Sequence, residues 1–224
     1  MSKQADQKRR ILADMGIDVW LLRGESGAAG DSLPDEKDTP LGCLQKEVQN
    51  CQRCSLSKSR TQTVFGNGTA QAELLLIGEA PGAEEDRQGK PFVGKAGKLL
   101  DAMLRAIGLD RSQVFICNVL KCRPPNNRDP KSDEVEACSS FLSVQVDIVK
   151  PKVILALGRF AAHQLLQTES PVYKMREASN VLPGTDIPVI VTYHPASLLR
   201  NPDQKAQSWR DLCKVHQLLE TSRT

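Results

Sequence analysis

The sequence predicts an α/β fold, a three-layer α/β/α sandwich around a central, mainly parallel sheet of four strands. Two patterns predict it. Short apolar runs alternate with longer amphipathic segments from residue 41 onward, as in successive β-α units. Each short run is apolar on both faces, as in strands that helices cover on both sides. A chain of 224 residues is long enough for one such domain and short for two.

The elements follow in order along the chain. Residues 1–40 are expected to be an N-terminal tail and flexible linker: an apolar segment over 3–23 predicts a short helix, and 24–40 is too rich in Gly, Ser, Asp and Pro to bury a core. The domain is expected over 41–224. Strands are predicted at 72–77, 114–120, 153–157 and 188–193. Helices are predicted at 97–107, 132–149, 159–167 and 203–219, the second with Ser132 as its N-cap.

Composition excludes several protein classes. Hydrophobic residues make up 40% and charged residues 25% of the chain, which argues against collagen, coiled coil and wholesale disorder. No apolar run approaches the roughly 18 residues of a membrane-spanning helix, and no signal peptide is recognised, so a cytoplasmic, monomeric protein without membrane contact is expected. The net charge of +3 permits a nucleic-acid partner without indicating one. The apolar segment in the tail either docks on the domain or binds a protein partner.

Seven cysteines without an export signal favour metal ligation or buried thiols over disulfides. Cys51 and Cys54 form a C-x2-C pair in a polar segment, where packing gives no reason for two thiols. Cys122 and Cys138 complete a set of four, although Cys138 also shares an apolar helix face. Four thiolates suit a structural zinc or a [4Fe-4S] cluster, and their spacing does not decide between the two. Burial as free thiols is expected for Cys43, Cys117 and Cys213.

Polar side chains follow the predicted strands at the edge where ligands bind in open α/β sheets. Glu79 follows the first strand, Asn118 lies late in the second, and His194 ends the fourth. A carboxylate, an amide and an imidazole are therefore expected to converge. The segment 89–96 nearly matches a phosphate-binding loop, but Ala96 lacks the hydroxyl that binds magnesium, so a nucleoside triphosphatase is not predicted.

Five ordered motifs resemble those of the family 4 uracil-DNA glycosylases. The resemblance covers roughly residues 41 to 219 and includes all four candidate cysteine ligands. It implies that family's fold, an iron-sulfur [4Fe-4S] cluster in place of zinc, and a DNA repair enzyme. Such an enzyme excises uracil from single- or double-stranded DNA and leaves an abasic site. The motifs are Gly78 to Gly82, Glu84 to Asp86, Gly89 to Gly94, Cys117 to Pro125 and His194 to Leu198.

The resemblance also implies catalytic and recognition roles. Glu79 would position or deprotonate the attacking water, although family 1 enzymes have an Asp where this chain has Ala80, which leaves the general-base role open. His194 would donate a ring N–H to uracil O2 as the base departs as an anion. Phe92 would stack on the flipped base, or else anchor its loop in the core. Asn118 would read uracil N3–H and O4, or else close a turn.

Further roles concern the rim of the site. Glu85 is expected to line the pocket where the methyl group of thymine is refused. Leu198, with Leu199 as its rival, would fill the base stack that the flipped nucleotide vacates. Candidates for phosphate contacts are Lys121, Arg123, Arg128 and Arg200.

Other function classes stay open at this point. A non-catalytic iron-sulfur protein that binds DNA and senses damage would share the fold and the cluster. An atypical glycosylase of the same superfamily is a second alternative, and a zinc-stabilised α/β binding module without a DNA role is a third. Uracil release from an oligonucleotide and iron absorbance separate these readings.

Overall fold

The computed structural model describes residues 39–222. The expected N-terminal helix and the linker up to residue 38 lie outside the described residues. Thr39 and Pro40, predicted as linker, instead begin the first helix: the Thr39 hydroxyl accepts a hydrogen bond from the Gly42 amide at 3.1 Å, and Pro40 occupies the first helical turn. Both are common choices at a helix start, because they satisfy or remove an unpaired N–H group.

Residues 39–222 form eight α-helices. Their bounds are α1 Pro40–Gln49, α2 Ala83–Gln88, α3 Lys95–Ala106, α4 Ser132–Val149, α5 Arg159–Leu166, α6 Val172–Glu177, α7 Pro195–Arg200 and α8 Lys205–Thr221. The four predicted helices are all present, within two residues at each end. The short helices α2, α6 and α7 were not predicted, since six residues are too few to show an apolar period.

The helix α4 has the predicted bounds, but its N-cap is Lys131 and not Ser132. The Glu134 carboxylate accepts a hydrogen bond from the Lys131 amide at 3.0 Å. The acidic side chain in the first turn therefore satisfies the amide of the N-cap residue itself.

The sheet has six strands in the described part of the chain, in the order β1-β3-β2-β4-β6-β5. The four inner strands run parallel, as predicted, and two-residue strands pair antiparallel at each edge. The sheet is therefore mixed and larger than the four strands expected. The two edge strands were not predicted, because two residues are too few to show an alternating pattern. The strand bounds are β1 Asn67–Gly68, β2 Leu74–Gly78, β3 Phe115–Asn118, β4 Val153–Leu157, β5 Asn180–Val181 and β6 Pro188–Thr192.

Two apolar cores flank the sheet and confirm the three-layer sandwich. Alternate residues of β2 enter opposite cores: Leu75 and Ile77 lie with α1, α4 and α5, whereas Leu74 and Leu76 lie with α3, α7 and α8. This is the two-sided burial that the apolar strands predicted. None of the helices within residues 39–222 has the length and apolar character needed to cross a bilayer.

Candidate active site

The carboxyl ends of the parallel strands bring the predicted side chains to one edge of the sheet. Gly78, which ends β2, lies in register with Asn118, which ends β3. The amide N–H of Gly158, directly after β4, donates a hydrogen bond to the Thr192 carbonyl at 2.8 Å. Thr192 ends β6 and precedes His194 by two residues. The topology thus places the amide and the imidazole on adjoining parts of the same edge.

The Asn118 side chain is buried and incompletely paired. The residue is 2% exposed, and its Oδ1 atom has no hydrogen-bond partner among residues 39–222. A Cβ atom on Gly78 would lie 2.4 Å from this oxygen and 2.6 Å from the Phe92 ring, so only glycine leaves room for the amide here. A buried acceptor without a partner costs about 1 to 3 kcal/mol, which makes it a candidate for ligand recognition.

The Phe92 ring is held firmly beside Asn118. The residue has a left-handed backbone, with φ of 54°. Arg111 donates to the Pro91 carbonyl at 3.0 Å and to the Phe92 carbonyl, and is itself paired with Asp101 at 2.5 Å. Gly97 is required next to this loop, since a Cβ atom there would lie 1.7 Å from the Phe92 oxygen. The residue is 5% exposed, so the ring is anchored in the core, and it lies next to Gly78, as Asn118 Oδ1 does.

His194 presents one defined ring donor. It is the N-cap of α7, and its Nδ1 atom accepts a hydrogen bond from the Ala196 amide at 3.1 Å. Nδ1 therefore carries no proton in the neutral ring, which leaves the proton on Nε2. Burial, reinforced by the charge of Arg200 and opposed by that of Glu85, lowers the pKa of His194 to about 4. The ring is neutral at pH 7, and its centroid lies 5.5 Å from that of Phe92.

Glu79 is a half-buried carboxylate at the end of β2. Burial and the negative charge of Asp129 raise its pKa above the ordinary value of 4.5, and Arg159 opposes the rise. Arg159 and Asp129 form an ion pair of 3.5 Å. A carboxylate with a raised pKa is a stronger base than an exposed one, which is the property needed to accept a proton from water.

Glu85 acts on the Phe92 loop. Its Oε1 atom accepts hydrogen bonds from the amides of Val93 at 2.9 Å and Gly94 at 3.1 Å. These bonds tie α2 to the start of α3 and so fix the loop that presents the ring. The role of Glu85 in refusing the methyl group of thymine stays a prediction.

Ala80, which follows Glu79, lies partly buried against the core that contains α1 and α4.

The burial of Leu198 disagrees with the expected insertion into DNA. Leu198 is 1% exposed and packs in the core with Phe92, whereas Leu199 is 45% exposed. A side chain enclosed by the core cannot enter a duplex without unfolding α7. Because this helix turns Leu199 toward solvent, Leu199 is the candidate for filling the vacated base stack.

The four basic candidates for phosphate contacts differ in solvent exposure and in hydrogen-bond partners. Lys121 is 1% exposed and therefore does not contact DNA. Arg128 forms two hydrogen bonds of 2.9 and 2.6 Å with the fully buried carboxylate of Glu134, which gives it a structural partner. Arg123 donates to Asn127 at 2.8 Å and is partly buried, whereas Arg200, in the last turn of α7, is exposed.

All four candidate ligand cysteines line a single cavity. Cys51 and Cys54 follow α1, Cys122 lies beyond β3, and Cys138 belongs to α4. Within residues 39–222, no three Cys, His, Asp or Glu side chains close on a single metal ion. The thiols therefore surround a space without meeting at one point.

The chemistry around this cavity fits an anionic, thiolate-bound group. Arg60 donates to the Cys122 sulfur at 2.9 Å and to the Cys51 carbonyl at 2.7 Å. Burial raises the pKa of Cys122 to about 11, so this thiol gives up its proton only when a metal binds. The soft sulfur donors and the adjoining cations suit an iron-sulfur cluster.

The other cysteines follow the expectation only in part. Cys117 is fully buried in β3, as predicted. Cys43 is exposed, which shows that the prediction of burial was wrong: it lies on the outer face of α1, opposite Leu44 and Val48. Cys213 is partly buried.

Two contributors to the site were missed by sequence reasoning. Arg111 fixes the Phe92 loop from 19 residues away, and nothing in the local pattern marks that contact. Lys121 had a local signal, because a lysine between Leu120 and Cys122 interrupts an apolar run. It was assigned to the surface, as lysine usually is.

Comparison with known proteins gives a consistent family. Residues 65–213 match the family model described as the Uracil DNA glycosylase superfamily. The type-4 uracil-DNA glycosylase of Sulfurisphaera tokodaii is 45% identical over 80% of this chain and 84% of its own length. That of Archaeoglobus fulgidus is 42% identical over 80% of this chain and 92% of its own. That of Thermotoga maritima is 44% identical over 70% and 82%, respectively.

Proposed function

We propose that this chain, which belongs to the Uracil DNA glycosylase superfamily, is a DNA repair enzyme that hydrolyses the N-glycosidic bond of uracil in DNA. The type-4 relatives, which cover about four fifths of the chain, support this function. The structural observation that carries it is the pair formed by the buried, unpaired Oδ1 atom of Asn118 and the defined Nε2–H donor of His194, both near the Phe92 ring. The two groups provide an acceptor for uracil N3–H and a donor for uracil O2.

The proposed mechanism begins with a uracil turned out of the base stack. Its ring would lie against Phe92, and Asn118 would accept from N3–H and donate to O4. As the glycosidic bond breaks, negative charge develops on the base, and the neutral His194 ring would donate from Nε2 to O2. A preset donor is effective because it does not have to reorganise during the reaction.

Glu79 would act on the other fragment. The carboxylate would position the attacking water, accept its proton and offset the positive charge on the sugar. The water oxygen would bond to C1′ of the sugar as the C1′–N1 bond breaks, which gives an abasic site and the uracil anion. Protonation of that anion, balanced by loss of the proton from Glu79, gives free uracil. The raised pKa of Glu79 supports the role of base, and Ala80 supplies no second carboxylate.

A [4Fe-4S] cluster is proposed at Cys51, Cys54, Cys122 and Cys138. When bound, it would cross-link α4 to the segments after α1 and β3, and so stabilise the end of β3 that carries Asn118. The thiolate set suits iron-sulfur and zinc alike, and the resemblance to the type-4 relatives supports iron; metal analysis of the purified protein distinguishes the two. A cytoplasmic location, a monomeric state and a partner for residues 1–40 stay predictions.

Changing Glu79 to glutamine tests the proposed chemistry. We expect single-turnover release of uracil from an oligonucleotide to fall by about 10² to 10⁴, because the amide cannot accept the proton of water. The wild-type rate should fall as the pH decreases through the raised pKa of Glu79, as the carboxylate becomes protonated. Glu84→Gln, which changes an exposed carboxylate on α2, is the matched control.

Two results would count against these assignments. Near wild-type release by Glu79→Gln would remove Glu79 from the mechanism. No release of uracil by the wild-type protein, together with binding of the same DNA, would favour the non-catalytic damage sensor.

The exposed Leu199 supplies a second prediction. The factor by which Leu199→Ala slows uracil release should be about tenfold larger for duplex DNA than for single-stranded DNA, because a single strand has no vacated base stack to fill. Leu198→Ala should instead lower the free energy of unfolding by about 2 to 5 kcal/mol, since it opens a cavity in the core. Equal losses of Leu199→Ala on both substrates would show that Leu199 does not enter the duplex.

A further inference from the structure

Lys121 is a buried cation without an anionic partner. The residue is 1% exposed, although lysine is seldom fully buried unless it is paired. Its Nζ atom donates to the Asn118 carbonyl and to Gln145 Oε1, each at 2.6 Å. Both partners are neutral, and no carboxylate in the described part of the chain forms an ion pair with it. A buried charge that only neutral oxygens contact costs free energy and requires compensation.

The cysteine cavity is the place where that compensation would be found. Lys121 lines the cavity together with all four cysteines. Four thiolates bound to either a zinc ion or a [4Fe-4S] core leave a net negative charge. The buried ammonium group would face this charge on one side and the Asn118 carbonyl on the other.

A single side chain therefore connects the cysteine cavity to the base-reading residue. Asn118 lies at the end of β3, where its side-chain oxygen is unpaired and its backbone oxygen is held by Lys121. Gln145, on α4, holds the ammonium group from the other direction and donates to the Phe65 carbonyl at 2.9 Å. The Lys121 backbone is itself fixed, since its carbonyl accepts from the Val64 amide at 2.8 Å.

We propose that Lys121 is the internal counter-cation of the thiolate-bound cluster and, through its bond to the Asn118 carbonyl, a positioning residue for uracil recognition. Removing the charge leaves the cluster less well balanced and frees the end of β3. Cluster retention and uracil affinity are thereby coupled through one ammonium group. This inference rests on the proposed function, because it takes Asn118 as the reader of the base.

Lys121→Met separates this role from general packing, since methionine preserves the apolar bulk and removes the charge and the donors. Two measurements that need no turnover report on it: the rate of iron release to a chelator, and the affinity for free uracil. We expect iron release to be about tenfold faster and uracil affinity to fall by about 10- to 100-fold, the loss typical of a hydrogen bond from a charged donor. Affinity for abasic DNA, which has no base to read, should change less than about threefold. Lys58→Met, at an exposed lysine, is the matched control.

Gln145→Leu keeps the inference testable if Lys121→Met does not fold. Gln145 does not line the cysteine cavity, and its hydrogen bond to a residue that does is the one to Lys121, since its amide group otherwise donates to the Phe65 carbonyl. Both readouts should shift in the same direction as in Lys121→Met, by a smaller factor. Wild-type iron release and wild-type uracil affinity in either folded variant would overturn the proposal. A wild-type protein that releases no uracil from DNA would instead contradict the proposed function, which distinguishes the two failures.

Discussion

Changing Asn118 to aspartate is expected to abolish most uracil excision, with a loss of about 10³-fold or more in kcat/KM. The Asn118 amide would accept from uracil N3–H and donate to O4, and an ionised aspartate has no donor for O4. The position is 2% exposed, so water cannot replace the missing partner. A site built around buried hydrogen bonds discriminates strongly, because each mismatch leaves a polar group unpaired.

The same change predicts a new specificity. Burial favours the neutral form of a carboxyl group, and a protonated aspartate at 118 could donate to cytosine N3 while its other oxygen accepts from the cytosine N4 amino group. We expect weak release of unpaired cytosine, well below the wild-type rate for uracil. The measurement is release of both bases from matched single-stranded oligonucleotides by Asn118→Asp, with Asn67→Asp on the exposed edge strand as the control.

Retention of near wild-type uracil release by Asn118→Asp, without any cytosine release, would show that Asn118 closes a turn and does not read the base, since a protonated aspartate that paired with uracil would pair with cytosine as well. Loss of uracil release without any cytosine release would leave the reading of uracil intact and show that the aspartate stays ionised. The two oligonucleotides therefore test the recognition and the protonation separately.

Changing His194 to asparagine is expected to lower the single-turnover rate by about 10² to 10³, the usual effect of removing one preset donor to a developing anion. Asparagine is a good N-cap, so its side-chain oxygen can still accept from the Ala196 amide. The substitution thus preserves the start of α7 and removes only the Nε2–H donor. DNA affinity should stay close to that of the wild type, since the contact is made as the bond breaks.

His194→Gln provides the complementary test, because its amide can place a donor near the position of Nε2. It should recover part of the rate that His194→Asn loses. His216→Asn, at an exposed histidine on α8, controls for loss of an imidazole elsewhere. A normal rate in His194→Asn would remove the ring donor from the mechanism.

The depressed pKa of His194 also has a consequence for stability. The folded ring accepts a proton only near pH 4, whereas the unfolded ring accepts one near pH 6.5, so the unfolded state binds more protons between these values. The stabilisation from the neutral ring is complete above about pH 6.5 and is lost as the pH falls toward 4. Urea unfolding should show a weaker acid dependence in His194→Asn than in the wild type.

Long periodic elements could be predicted closely from the sequence. The strand at 153–157 and the helix at 132–149 have the bounds that their apolar patterns indicated. The strand ends were also accurate enough to place Gly78, Asn118 and His194 at one edge. In contrast, the edge strands β1 and β5 were missed, because a two-residue pairing is decided by the neighbouring strand and not by a pattern of its own.

The site was predicted where function demands a particular side chain, and less well where packing decides. Leu198 and Leu199 are adjacent and chemically identical, so only the rotation of α7 against the core selects the exposed one. Glu85 is predicted from the sequence to line the pocket, whereas its bonds to the amides of Val93 and Gly94 depend on how α2 packs against the start of α3.

By itself, the sequence determined the α/β class and the order of the motifs that follow the parallel strands. It also determined which four cysteines group together and the edge of the sheet at which Glu79, Asn118 and His194 lie. These follow from periodicity and from residue types that are rare without a chemical reason. The tertiary structure alone decided the tautomer of His194, the unpaired oxygen of Asn118 and the burial of Lys121. Each depends on which backbone and side-chain groups surround it in three dimensions, and on how far they exclude water.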